Sequence, residues 1–579
     1  MKKTLALLPA LLAGLLSCIS SGNRAAVGGP GTVPAARIDS LVTSQLDSGG
    51  PGCAVAVYRD GAIVFEKGYG LANLDWRLPV TPATMFDIAS ISKQFTAACI
   101  LMLAERGQLS LDDDIRKSIP EFPDYGSRIE IRHLLNHTSG IRDWVWLLAL
   151  GGIPFENILS RQDLYRIIYR QQALAFAPGE QYKYSNSGYN LLALIVERVA
   201  GLPFEEFVSK EIFQPLGMRY TCILDDRRMI IPNRAFGYVP ARDGGYCMEQ
   251  YFNPAMVGSS NIHTTVEDLF LWDQNYYTHK AGPPDLTEKM EERGVLNDGD
   301  TIAYACGLEV RQYRGLKTVS HGGDWAGFLA CMLRFPDQRF TAVCLANTQA
   351  FNPARLCHKI ADLCLAESFA QAGDAALEDR PAERKPVTID PALYNDYSGT
   401  YQAEGGKKIG VRPDSGHLTG SFEGEPEFEM LPASDNEFLL RGRNVRITLI
   451  RDEKKQISRL DWQEDGRTES YFSLKNPPEF FSHPERAAEY AGEYFSPEVL
   501  ATYYITAQDG RLILDTPIRS KYLMDSSGIT NPDTLKYQEK DKFKFAFLDV
   551  DFERGPGGKI RGFTLIHKWA AVKLKFVKK

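Results

Sequence analysis

The chain has 579 residues, 44% of them hydrophobic and 24% charged, with a formal net charge of −7. That length exceeds one ordinary core and predicts about three units, since domains commonly hold about 100–200 residues. The charge is mildly acidic and no basic stretch or nucleic-acid motif stands out, which argues against a DNA or RNA partner.

At the N-terminus, Lys2 and Lys3 precede an apolar run from Leu5 to Leu16 that is too short to span a bilayer comfortably. The run ends at Ser17-Cys18 and a polar stretch comes next. This resembles a bacterial lipoprotein signal over residues 1–17, with lipid on Cys18 and a tether over 18–34. A plain secretory signal that contains a cysteine is the alternative. Both predict export, to the periplasm or the outer surface, and the first adds a lipid anchor as the protein's one contact with membrane. No later segment is apolar enough for a transmembrane helix.

Residues 35–370 mix short strands and helices. The β-rich runs 53–58 and 62–65 meet at Asp60-Gly61, a hairpin signal. Helical patterns follow Ser90, cover 191–196 and follow Thr264, where Thr264-Thr-Val-Glu267 reads as a capping box. Strands are expected again over 307–310, 328–335 and 341–345, then a last helix from Pro353 to about Ala370. Strands at both ends with helices between them imply an α+β unit whose antiparallel sheet joins its two termini.

Residues 371–391 lose hydrophobic periodicity and read as a linker. The remainder is strand-rich and duplicated, over 392–476 and 485–579. Tyr397-Ser-Gly-Thr-Tyr401 recurs as Tyr490-Ala-Gly-Glu-Tyr494. Strand-turn-strand fragments at 409–422 and 445–460 recur in the same order at 504–514 and 550–563. Each copy suits a small antiparallel barrel, with its tyrosines filling the core rather than binding a ligand. The cysteines after Cys18 fall mostly in apolar runs without a C-x-x-C pair, so mostly reduced, buried thiols are expected.

The stretch Ser90-Ile-Ser-Lys93 carries the first chemical signal. Three residues of helix turn the chain through about 300°, which puts Ser90 and Lys93 on one face. A serine hydroxyl needs a base to become a nucleophile, and a lysine serves only when burial and a nearby helix N-terminus favour its neutral form. Alone, the pair reads as a capped helix with a surface lysine. Two further pieces change that: Tyr184-Ser-Asn186, just before an apolar helix, and His321-Gly-Gly323-Asp324, between strand-like runs.

Together, in this order, the three resemble the S-x-x-K, Y-x-N and K-T-G motifs of the serine β-lactamase and penicillin-binding-protein superfamily, in the Tyr-x-Asn form of class C β-lactamases and their esterase and peptidase relatives. Leu134-Leu-Asn-His-Thr-Ser-Gly-Ile141 and Pro215-Leu-Gly-Met218 agree with it, and the resemblance covers residues 35–370. It implies a β-lactamase-like fold, an antiparallel sheet with helices on both sides. It implies that Ser90 attacks a carbonyl and carries the acyl group, that Lys93 accepts its proton or orients it, and that Tyr184 moves protons to the leaving group and from water. Asn186 would bind the substrate amide and steady Lys93. The backbone N–H groups of Ser90 and Asp324 would form the oxyanion hole. Which of Lys93 and Tyr184 is the general base stays open.

The third motif departs from the pattern, because His321 stands where lysine is usual. Histidine is shorter and near neutral at pH 7, with a reference pKa of about 6.5, so recognition of a substrate carboxylate weakens. It can still hydrogen-bond Tyr184 and line the pocket beside Gly323. The His-Gly-Gly form resembles D-aminopeptidases and related esterases, and D-aminopeptidases of this kind also carry two C-terminal barrels.

His133 and His137 stand at helical spacing for zinc, but Leu134 replaces the glutamate of a His-Glu-x-x-His site. Gly68-Tyr-Gly70 lacks the third glycine of a dinucleotide loop, and no Gly-x-Ser-x-Gly elbow supports an α/β-hydrolase. No metal or cofactor is expected. The expected function is an exported serine hydrolase acting through an acyl-enzyme on a small peptide or ester, with D-amino-acid-containing peptides among the candidates. The alternatives are a D-Ala-D-Ala carboxypeptidase, a weak β-lactamase, and a non-catalytic envelope-binding protein on the same fold.

Overall fold

The apolar run at Cys53 becomes a strand buried on both faces, β1 (Cys53–Arg59), and Asp60-Gly61 turns it back into β2 (Ala62–Tyr69). Both turn residues take positive φ, 51° and 82°, the backbone of a two-residue hairpin whose twist matches its strands. The structure, a computed structural model, describes residues 33–579 apart from short stretches, the longest being 373–388 and 518–533. The expected signal segment with Cys18 and most of the expected linker lie outside the described residues.

The remaining strands of the first sheet come from far along the chain: β3 (Glu309–Tyr313), β4 (Leu316–Trp325), β5 (Phe328–Phe335) and β6 (Phe340–Ala346). The sheet is antiparallel, in the order β3-β4-β5-β6-β1-β2. Its centre joins the two ends of the unit, with Cys53 opposite Ala346 and Arg59 opposite Phe340.

Arranged around this sheet are, among other helices, α1 (Ala35–Thr43), α2 (Lys93–Glu105), α3 (Trp144–Leu150), α4 (Asn186–Ala200), α5 (Val266–Thr278) and α6 (Pro353–Cys364). Alternation along β1 sorts them. Ala54, Ala56 and Tyr58 share a core with α2, α4 and α5. Cys53, Val55 and Val57 face Ile38 and Val42 of α1 and Leu356 and Ile360 of α6. Cys331, Cys344 and Cys357 join Cys53 in that second layer, and all nine described cysteines carry free thiols, Cys247 alone among them exposed. The result is the α+β arrangement expected, helices on both faces of an antiparallel sheet.

Three local expectations need correction. β3 begins at Glu309, two residues after the expected start, because Gly307 takes a positive φ of 73° that a strand does not use. The last helix breaks at Leu365, which leaves helical backbone at φ −114° as it buries its side chain, before Ala366–Ala372 continue. The cap before α5 is Thr265, whose side chain accepts from Asp268 N–H; Thr264 ends a short strand opposite Phe86.

The C-terminal third closes two antiparallel barrels of eight strands each, Gly399–Ala403 through Arg467–Ser473 and Gly492–Ser496 through Val572–Lys578. The repeated fragments occupy equivalent strands, and the two Tyr-x-Gly-x-Tyr segments open each barrel identically. The Tyr401 hydroxyl donates to the Tyr397 carbonyl at 2.6 Å, and Tyr494 donates to Tyr490 at 2.5 Å. The first barrel keeps its own core around Tyr401, Ile447 and Leu460. The core of the second is continuous with that of the first unit through Tyr503, Leu147 and Leu150.

Candidate active site

The serine is presented by a strained turn. Phe86–Asp87 form a short strand, and Asp87 Oδ1 accepts from Ala89 N–H at 2.8 Å. Ala89 is held at φ 46°, a left-handed conformation that costs a residue with a Cβ about 1–3 kcal/mol. Ala89–Ser92 then make one 3₁₀ turn carrying Ser90, and α2 begins at Lys93. Burial pushes the Asp87 carboxyl up to about 7. Ser92 is structural: its Oγ accepts from Ile262 N–H at 3.2 Å.

The first residues of α2 are buried all round, so Lys93 is fully enclosed. Its Nζ lies 3.0 Å from Ser90 Oγ, 2.8 Å from Asn186 Oδ1 and 2.8 Å from the Ser259 carbonyl. Burial lowers its pKa to about 7, against a smaller upward pull from the Asp143 carboxylate. The two carbonyl oxygens can only accept, so a neutral amine gives them its two hydrogens and turns its lone pair to Ser90.

Tyr184 stands just before α4, and Asn186 is its first residue. The Tyr184 ring lies 4.8 Å from Lys93 Nζ and 4.2 Å from the His137 ring. Its hydroxyl is buried without a hydrogen-bond partner; burial holds its pKa well above the ordinary value, which the nearby Ser90 side chain offsets in part. Asn186 Nδ2 donates to Asp143 Oδ2 at 3.0 Å, and Asp143, itself pushed up by burial, caps α3.

The third element is the far end of β4. β3 pairs with β4 only from Leu316 to Ser320, while β5 pairs with it as far as Trp325. His321 to Trp325 therefore keep one strand edge clear of sheet pairing, and this end packs on the Ser90 turn. The approach is so close that a Cβ on Gly323 would sit 2.3 Å from the Ile88 carbonyl oxygen, which explains the glycine.

His321 corrects one expectation. It bonds Tyr304, not Tyr184: Nδ1 lies 2.6 Å from the Gly322 carbonyl and Nε2 lies 2.9 Å from the Tyr304 hydroxyl. The carbonyl requires the hydrogen on Nδ1, so Nε2 accepts from Tyr304. Burial, then the charge of Lys93, lower its pKa to about 4, and it is neutral at pH 7.

Ser90, Tyr184, Asn186, His321, Gly323 and Asp324 all line one cavity of about 970 Å³. Trp146, Phe155 and Trp325 give it an apolar wall, and Asp143, Lys183 and Glu309 add charge. His133 and His137 do not meet as a metal pair. His133 Nδ1 accepts from Glu130 N–H, while His137 Nδ1 accepts from Ser185 N–H beneath Tyr184. Asp143, Ser259 and Tyr304 were not expected from sequence, since none of them lies in a motif; only the fold brings them to the site.

Residues 38–366 match the Beta-lactamase family model. The chain is 30% identical over 432 residues to penicillin-binding protein 4* of Bacillus subtilis (strain 168), spanning 72% of this chain and 93% of that protein. It is 28% identical over 388 residues to the D-aminopeptidase of Gluconobacter oxydans (strain 621H), spanning 66% and 69% respectively. Among solved structures, the octameric penicillin-binding protein homologue from Pyrococcus abyssi matches at a TM-score of 0.53 and 22% identity, over 83% of this chain and 97% of that one, a likeness of fold.

Proposed function

The chain belongs to the Beta-lactamase family and is a serine hydrolase, and from that premise we propose that it cleaves short peptides or amides bearing a free amino group through an acyl-enzyme on Ser90. The observation that carries this reading is a fully buried Lys93, with a pKa of about 7, directed at Ser90 Oγ from 3.0 Å.

In the proposed reaction, neutral Lys93 takes the Ser90 proton as Oγ attacks the substrate carbonyl. The developing oxyanion is held by the N–H groups of Ser90 and Asp324, and a donor in such a hole commonly contributes about 3–4 kcal/mol. Tyr184, neutral because its hydroxyl is buried, protonates the leaving amine. Lys93 passes its new proton on to Tyr184; water then attacks the acyl carbonyl, its proton travels through Tyr184 or Lys93 to Ser90 Oγ, and the acyl–Oγ bond breaks to release the acid. The second Nδ2 hydrogen of Asn186 is available to the substrate amide. No step calls for a cofactor.

The charge of the lining supports a substrate that carries an ammonium group. Asp143 and Asp324 line the cavity with Lys183 and with Glu309, whose carboxylate pairs with Arg311, and His321 is neutral where a lysine is usual. That balance favours an ammonium over a carboxylate, and so disfavours β-lactams and peptides recognised by their C-terminus. The similarity to a D-aminopeptidase supports a D-residue at the N-terminus. The aromatic wall suits an apolar side chain, and simple esters with such a group are the second reading. The Lys2–Cys18 segment supports export and a lipid anchor, which palmitate labelling of wild type and Cys18→Ser in a bacterial host tests.

Two measurements test the catalytic reading. A fluorophosphonate probe should modify Ser90, read by mass spectrometry, and Ser90→Ala should lose both labelling and turnover. A panel of D- and L-amino-acid p-nitroanilides, p-nitrophenyl esters and nitrocefin should rank D-aminoacyl anilides first. An unlabelled wild-type protein would instead support a non-catalytic binding protein.

A further inference from the structure

We propose that Glu498, in the second barrel, acts through Arg142 as a positioning residue for Asp143, Asn186 and Lys93. The proposal rests on the hydrolase reading of Ser90.

Glu498 lies in the turn between the barrel strands Gly492–Ser496 and Ala501–Gln508. It forms an ion pair with Arg142 across a separation of 356 residues, and the two side chains are 4% and 5% exposed. Arg142 Nη1 also donates to Gln171 Oε1 at 2.9 Å, and Glu498 accepts from Gln172 N–H at 3.1 Å.

Arg142 directly precedes Asp143, and its backbone runs along the start of α4. Ser187 Oγ donates to the Arg142 carbonyl at 2.8 Å and accepts from Trp144 N–H at 2.9 Å. One face of this segment is thus held by the helix that bears Asn186, the other by the barrel. The barrel also grips α3 further along: the His567 ring lies 4.1 Å from that of Trp146, and the Tyr503 hydroxyl donates to the Leu150 carbonyl at 2.8 Å. Val145, Trp146 and Ala149 of α3 form one wall of the substrate cavity.

Neutralising Glu498 leaves a buried guanidinium without its counter-ion, a far larger disturbance than loss of a surface pair. Arg142 must then hydrate or swing, and Asp143 is its neighbour. Either movement takes the Asp143 carboxylate from Asn186 or brings positive charge nearer Lys93. Lys93 is also faced by His137 and His321, held neutral by burial, and by the Tyr184 and Tyr189 rings, whose phenols burial likewise keeps neutral, so Asp143 is the negative group whose shift it would feel.

The experiment uses the full chain as wild type, Glu498→Gln, and the double variant Arg142→Met with Glu498→Gln, which removes the unpaired charge. The rate of Ser90 labelling by a fluorophosphonate and the hydrolysis of p-nitrophenyl acetate are followed across pH, beside near-UV circular dichroism and melting. Glu498→Gln should stay folded, lose about 10- to 100-fold in labelling rate, and move the acidic limb of its pH profile to lower pH. The double variant should recover most of the rate and the wild-type limb. An unchanged labelling rate and limb in folded Glu498→Gln would overturn the proposal. So would a loss that tracks only the unfolded fraction with an unmoved limb, because the barrel would then be structural alone. Should Glu498→Gln fail to fold, the folded double variant decides: a wild-type limb supports the proposal, a shifted one overturns it. Wild type that resists labelling removes the premise and the proposal with it.

Discussion

Lys93 and Asp143 are joined through the amide of Asn186, which accepts from Lys93 Nζ at 2.8 Å and donates to Asp143 Oδ2 at 3.0 Å. The carboxylate thereby sets the orientation of the amide, and the amide takes one hydrogen of the amine. Its charge raises the Lys93 pKa modestly, against the larger depression from burial.

The acidic limb of turnover should therefore fall near pH 7, where Lys93 loses its proton, with activity rising above it. Asp143→Asn removes the one influence that raises that pKa, so its limb should shift to lower pH while the maximal rate falls as Asn186 loses its fixed acceptor. Ester hydrolysis followed across pH checks both. A limb that stays in place in Asp143→Asn would exclude Lys93 as the titrating base.

Gly323→Ala should abolish most activity in a protein that still folds. Its Cβ would meet the Ile88 carbonyl at 2.3 Å and push the end of β4 away from the Ser90 turn. A displacement on the order of 1 Å at the oxyanion donors can cost about 100-fold. The kcat of the variant, with circular dichroism to establish folding, is the measurement.

His321→Lys should move specificity toward carboxylates. The variant restores the cation that the third motif usually carries and loses the Tyr304 hydrogen bond. Nitrocefin hydrolysis should rise relative to wild type, while kcat/KM for a D-aminoacyl p-nitroanilide falls. A fall for both substrates would show that position 321 supports the site without selecting charge.

Tyr401→Phe and Tyr494→Phe should each destabilise by about 1 kcal/mol, the usual net worth of one intramolecular hydrogen bond. Each hydroxyl closes the equivalent five-residue segment at the start of its barrel. Denaturant titration of the two single variants checks whether the costs match.

Much of this architecture was legible because it is written locally. The apolar run 53–58, the Asp60-Gly61 turn and the recurrence of Tyr-x-Gly-x-Tyr are short-range patterns, and each marks the element or repeat expected from it. Ser90 and Lys93 meet because one helical turn separates them. Elsewhere the local pattern was ambiguous. Thr264 and Thr265 offer the same hydroxyl to a cap, and pairing with Phe86 assigns the first of them to a strand.

By itself the sequence determined that Ser90 and Lys93 adjoin, the family, and the duplicated barrels, since spacing along one helix and repeats along one chain need no knowledge of distant partners. Only the tertiary structure decided the rest: that His321 answers to Tyr304, that Ser259 and Asp143 complete the surroundings of Lys93, and that Glu498 neutralises Arg142. These contacts join residues separated by tens to hundreds of positions. They form because burial leaves each polar group with few partners, and which partner is at hand depends on how the units pack.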